Sequence, residues 1–258
     1  MTENCLKLNE GKTDLILIGP ANVSSILNSL CIGDSLISIS SEVKYLGAVI
    51  DCHLLLDKHI MKICAACFIK ICQIWRIRRT LIVESAKALV HANIISRLDH
   101  INMLLIGLPK KDTRKLQQVL NAAVWLVLAA PRQTHSKPLL MELHWLPIRA
   151  RIEFKAMTLV YKCLRGQGPL YLINLLSWYV PERANMRSEN TLLLNVPVCE
   201  DKFLRRTFAW YGPKRWNRLP ASIRTLSNLS SFKKALKTHY YHKFFVLGID
   251  DFWLVRYF

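Results

Sequence analysis

The side chains of this sequence best placed to do chemistry are cations set about one helical turn apart. On a helix from Lys58 to Arg79, at about 100° per residue, Lys58, Lys62, Gln73 and Arg76 fall within about 60° of one another. Ile60, Ile63, Cys67, Ile71 and Ile74 cluster on the opposite face. One face is then committed to a core, and the other can meet successive phosphates without reading sequence. A merely solvated surface is the alternative for the same residues.

A second constellation runs from Phe203 to Arg218. It interleaves Phe203, Phe208, Trp210, Tyr211 and Trp216 with Arg205, Arg206, Lys214, Arg215 and Arg218. Such a mixture can stack exposed bases while neutralising their backbone, with Trp210, Tyr211 and Trp216 as the stacking candidates. The competing reading makes these aromatics core anchors.

Metal and nucleophile chemistry find less support. Cys64, Cys67 and Cys72 form Cys-x2-Cys-x4-Cys, but on a helix they point near about 240°, 180° and 320° relative to Lys58, so the third thiolate cannot converge with the second on one ion. The expectation is small buried hydrophobes, with no metal and no cofactor. The eight histidines are scattered, and spacing alone assigns none of them to a Ser or Cys nucleophile. His91 and Asp99 lie two turns apart and cannot touch on one helix.

The elements that must position these groups follow from charge and periodicity. Across 258 residues, 36 Lys and Arg stand against 18 Asp and Glu, which points to a polyanionic partner. With 52% hydrophobic residues, the chain can bury a core, so disorder is excluded. Residues 1 to 57 hold three basic and seven acidic side chains, whereas the rest holds 33 against 11 and carries the whole positive excess. That asymmetry predicts two functional regions.

In the first region, Asp14 to Gly19, Leu36 to Ser40 and Val43 to Asp51 read as strands of a small antiparallel sheet. Beyond Asp57 the spacing turns helical: Lys58 to Arg79, Glu84 to Leu105, Asp112 to Leu128, Ile148 to Leu164, Leu170 to Trp178 and Ser230 to Phe245. Leu192 to Pro197 reads as one isolated strand. The fold class is therefore α+β, helix dominant. The longest apolar run, Ala122 to Ala130, has nine residues against the roughly 20 that span a bilayer. No membrane partner is expected. Met1 to Glu10 lacks the pattern of a secretory signal, so the expected location is intracellular, nucleus or cytoplasm, with the eight cysteines reduced.

Several blocks in order along the chain resemble the C-terminal part of the reverse transcriptase of non-LTR (LINE-type) retrotransposons. They are MTENCLKLNEGKTDLILIGP at residues 1–20, VKYLGAVID at 43–51, SRLDHINMLLIGLP at 96–109 and LQQVLNAAVWLV at 116–127. LHWLPIRARIEFKAMTLVYKCLRGQGPLYL at 143–172 and FAWYGPKRWNRLPASIR at 208–224 complete them, with SFKKALKTHYY behind. The resemblance implies that Leu6 to Gly19 is the end of the polymerase palm, with Lys12 at its lysine motif. It implies that Val43 to Gly47, including Lys44, is the hairpin gripping the primer end. Residues 1–57 would then be a palm remnant, 58–130 a thumb-like helical region and 131–258 a basic C-terminal helical region.

Polymerisation in this family needs an early palm aspartate and an Ala-Asp-Asp turn holding two metal ions. The sequence contains no Ala-Asp-Asp; its acidic pairs Glu200-Asp201 and Asp250-Asp251 stand in no palm context. The catalytic aspartates are expected upstream of Met1. The resemblance thus implies a catalytically incomplete fragment of an RNA-directed DNA polymerase, at most binding RNA or DNA without sequence preference through its basic helices. A nonfunctional or structural module that binds other proteins through its exposed former palm interface is the second reading, with self-association through a sheet that exposes Ile16, Ile18 and Val49 as one form of it.

Overall fold

Short runs of aliphatic and β-branched residues between Ser and Gly build the strands of the first unit. The computed structural model describes residues 9, 12–18, 29–32, 35–131, 133–180, 192–201 and 204–247. The fold is α+β with helix dominant, and the chain divides into two units, Met1–Ala65 and Ala66–Phe258. The division falls inside a helix rather than after residue 57. Residues on both sides of 130 belong to the second unit, where the Trp125 indole donates to the Thr134 carbonyl at 2.9 Å.

In the first unit, β1 (Leu15–Ile16), β2 (Ser29–Ile32) and β3 (Ser35–Ser40) form one sheet in the order β1-β3-β2. β2 pairs antiparallel with β3, Leu30 opposite Ile37. β1 pairs parallel with β3, Leu15 opposite Ile39, which corrects the wholly antiparallel expectation. β2 falls between them in sequence and runs antiparallel to β3, which leaves β3 parallel to β1. β4 (Glu42–Tyr45) and β5 (Ala48–Asp51) form a separate antiparallel pair. Leu46 and Gly47 turn between them with φ of 46° and 83°. Two successive positive φ values suit the two-residue hairpin whose twist matches the strands. Val49 is buried, not exposed as expected, and its N–H donates to Nδ1 of buried His59 at 3.3 Å. Ile18 is exposed as expected and Ile16 half-buried.

Asp51 ends the hairpin and organises the entry to the first helix. Its carboxylate accepts the backbone N–H groups of His53 and Leu55 at 3.0 Å and of Leu56 at 2.7 Å. Burial alone would raise this carboxyl, but those amide hydrogen bonds outweigh it and hold it below the usual value. The lowered value means that its stabilisation is complete above the ordinary Asp range and is lost as pH falls through the folded value. Asp51→Ala is expected to cost about 1 kcal/mol at neutral pH, by analogy with a lost helix cap. The difference in urea midpoint between variant and wild type should be full at about pH 7 and should shrink as pH falls through the folded value.

The helix α1 (Asp57–Ile77) continues into a 3-10 turn, Arg78–Thr80. Ile60, Cys67, Ile71 and Ile74 are buried and Ile63 is half-buried, as periodicity requires. Arg78 is buried with its guanidinium donating to the Leu126, Val127 and Leu81 carbonyls, each at 2.7 Å. It thereby satisfies the last carbonyls of α4 (Lys110–Leu128), where a cation also complements the helix dipole.

The remaining helices of the second unit are α2 (Val83–Val90), a π turn His91–Ile95, α3 (Ser96–Leu98), α5 (Ser136–Glu142), α6 (Ile148–Leu164) and α7 (Leu170–Ile173). After a 3-10 turn, Leu204–Arg206, come α8 (Phe208–Trp216), α9 (Ala221–Arg224), α10 (Leu229–Tyr241) and a π turn, His242–Val246. α6 is central, packing on α4, α8 and α10. Its Ala156, Met157, Val160 and Tyr161 are buried; the Tyr161 ring stacks on Phe232 at 4.2 Å, and Phe232 on Trp216 at 5.9 Å.

Three expected elements end early for tertiary reasons. The helix expected over 84–105 stops at Leu98, because Asp99 turns to take Arg151 in a two-pronged ion pair at 2.9 and 2.7 Å, and Ile101 adopts φ 52°. The helix expected over 170–178 stops at Ile173, since Trp178 pairs with Leu194 in an antiparallel bridge. That bridge is all that forms of the strand expected over 192–197. Asn217 fastens it, accepting the Leu194 N–H and donating to the Leu194 carbonyl, both at 2.8 Å.

Candidate nucleic-acid interface

Buried Ile and Cys residues on one side of α1 force its cations to the other. Lys58 and Lys62 in the first unit and Gln73 and Arg76 in the second are all exposed on α1. They differ in availability. Lys58 reaches back to Glu42 on β4 at 2.9 Å, a partly exposed ion pair. Lys62 and Arg76 carry no ion pair among the described residues, which makes them the stronger candidates for phosphate contact. Cys64 is half-buried, Cys67 buried and Cys72 exposed.

Lys12 and Lys44 are exposed in the first unit, Lys12 near the start of its described residues and Lys44 on β4 beside the hairpin turn.

The aromatic and basic segment is resolved into two classes by α8. The backbone between Thr207 and Asn217 closes into a helix whose buried side faces α6. Trp216 is 1% and Tyr211 7% exposed, so neither offers a ring to a base, which corrects the stacking expectation for both. The Trp216 indole N–H donates to the Leu192 carbonyl at 2.9 Å, as a core tryptophan must. Arg215 is likewise buried; it faces Glu153 at 3.3 Å and serves that carboxylate rather than a phosphate. Burial, followed by the Glu153 charge, pushes the Tyr211 and Tyr240 hydroxyls far above the ordinary tyrosine range.

The other class stays at the surface. Trp210 is half-buried, with the Lys214 ammonium 4.0 Å and the Arg205 guanidinium 5.9 Å from its ring centroid. Those cations occupy the ring, so a stacked base would have to displace one of them. Lys214 is held below the usual lysine value by burial first and then by the charges of Arg218, Arg205 and Arg215. Arg218 is exposed. Arg205 donates to the Cys199 carbonyl at 3.2 Å, and Arg206 to the Ile106 carbonyl at 3.0 Å. Arg206 is thus tied to the turn containing Gly107, whose φ is 72°; a Cβ there would meet the Arg206 chain at 2.6 Å. Phe203 and the pair Asp250-Asp251 lie outside the described residues.

The sequence reading missed a second group of cations. Lys110, Lys111, Arg114, Lys137 and Arg149 line one cleft of the second unit. Its signal was the run KKDTRK at 110–115, where five of six residues other than Asp112 are cations or threonine at the start of an amphipathic helix. Among the described residues no group of three or more His, Cys, Asp or Glu could hold a metal ion, and no helix is long and apolar enough to cross a membrane. The chain matches no protein-family model, and neither a curated protein nor a solved structure matches it.

Proposed function

We propose that this chain is a catalytically incomplete portion of a retrotransposon-type reverse transcriptase that binds RNA or DNA through phosphate contacts, without sequence preference and without polymerising. The observation that supports it most is the division of α1 into a buried Ile and Cys face and an exposed face carrying Lys62 and Arg76. Cations one or more turns apart on a rigid helix meet a charged backbone without reading bases. The absence of an Ala-Asp-Asp turn from the sequence supports the non-catalytic half of the reading.

Lys62→Gln with Arg76→Gln removes two charges from exposed positions and leaves the buried face intact. The slope of log affinity against log salt should shrink by about 1.4 to 1.8 units, with little change in sequence preference. Lys58→Gln should add less than one further contact, because Glu42 already engages that ammonium. An unchanged slope in the double variant, with circular dichroism intact, returns α1 to an ordinary solvated surface.

A second reading, self-association through the first sheet, is favoured by exposed apolar side chains there. Leu36 is 70% and Leu30 44% exposed on β3 and β2, a pattern that invites edge or face pairing with another chain. Salt-insensitive dimerisation in sedimentation would favour it; salt-sensitive oligonucleotide binding favours the first.

A further inference from the structure

The cleft of the second unit is walled by cations and floored by apolar side chains. Its volume is about 960 Å³, and it opens between the first turns of α4 and α6, the helix α5 and the π turn at His242–Val246. Lys110, Lys111 and Arg114 come from α4, Lys137 from α5 and Arg149 from α6, and no carboxylate of the described residues lines it. Asp112, the one acid of α4, is 1% exposed and turned to Lys115 at 2.9 Å. Leu140 and Ile148 supply apolar floor, and half-buried Phe244 stands in the wall. Phe244 is carried by a π turn, a conformation frequent at functional sites.

We propose that this cleft holds a short stretch of single-stranded nucleic acid, its phosphates on Arg114, Lys137 and their neighbours and one base against Phe244. This rests on the nucleic-acid reading above but on a different surface. Exposed Arg114 and Lys137, with basic neighbours and no acid among the described lining residues, select a polyanion. The apolar floor and the aromatic wall select one that also has flat apolar faces to bury, as unpaired bases do. A duplex keeps its bases stacked inside and would touch only the rim, whereas a single strand can enter and turn a base onto the wall. Gln117 is not a base reader here, since its amide accepts the Ile148 N–H at 2.9 Å and donates to Asn121 at 2.8 Å. The phosphate and stacking contacts proposed for the cations and Phe244 carry no sequence preference.

The test measures binding of a fluorescein-labelled oligouridylate of about 12 nucleotides to the full chain by anisotropy over a range of salt. Arg114→Gln with Lys137→Gln changes two exposed side chains. If each meets one phosphate, the salt slope falls by about 1.4 units and affinity at about 0.1 M salt falls roughly 25-fold. Phe244→Leu should weaken binding without changing the slope. Wild-type-like binding by the Arg114/Lys137 variant, while the Lys62/Arg76 variant is weakened, overturns the cleft and leaves the broader reading standing. No binding by the wild-type chain overturns both. Equal loss for duplex DNA in the Arg114/Lys137 variant, or competition by inorganic polyphosphate as effective as that by unlabelled oligouridylate, overturns the single-strand assignment.

Discussion

Glu153→Ala is expected to destabilise the second unit strongly. Glu153 is 4% exposed in the middle of α6, with Arg215 at 3.3 Å and Lys243 at 4.0 Å. Removing the carboxylate strands the buried Arg215 guanidinium, one of whose nitrogens already has no hydrogen-bond partner among the described residues. Losing one partner of such a pair costs about 3 to 5 kcal/mol, against about 5 to 15 kcal/mol for a whole domain. Replacing both members with apolar residues, Glu153→Leu with Arg215→Met, should recover part of the loss, because the Arg215 charge goes with its partner, while Lys243, 4.0 Å from Glu153, keeps its charge. Urea midpoints measure both. A midpoint for Glu153→Ala within experimental error of the wild type would show that Arg215 escapes to solvent and is available to a ligand after all.

Trp216→Ala should behave as a core truncation, costing about 3 to 5 kcal/mol. Its ring stacks on Phe232, whose other neighbour is Tyr161, and its indole N–H holds the Leu192 carbonyl. The informative comparison is with oligonucleotide affinity per folded molecule, which should not change. Near-native stability with lost binding would restore Trp216 to the base-stacking role that its burial excludes.

What could be read in the sequence was whatever repeats within a few residues. The faces of α1 were legible because Ile60, Cys67, Ile71 and Ile74 recur at helical spacing, and α4, α6 and α10 were legible for the same reason. α8 was not, because Gly212 and Pro213 sit inside it and both argue against helix. The structure supplies the reason for Gly212: a Cβ there would come within 3.1 Å of Val160 on α6, so the small residue permits the close approach of the two helices. β2, only four residues long, was too short to stand out from the Ser, Asn and Gly around it.

The site was legible by type more than by availability. Sequence spacing cannot show that Lys58 is engaged by Glu42 on β4 or that Arg215 is engaged by Glu153 on α6, since those partners are distant in the chain. Nor can it show that α4, α5 and α6 bring Arg114, Lys137 and Arg149 to one cleft. In each case a long-range contact, set by helix packing, decides which cations are left to meet a ligand.

The central claim is that this basic chain binds nucleic acid through its phosphates. Its most direct test is the wild-type affinity for an unstructured oligonucleotide measured as a function of salt. Several simultaneous phosphate contacts, including those of Lys62 and Arg76, should make log affinity fall linearly with log salt, with a slope of about −0.7 for each contact on a single strand. A slope near zero, or no binding at low salt by the folded chain, would contradict the account.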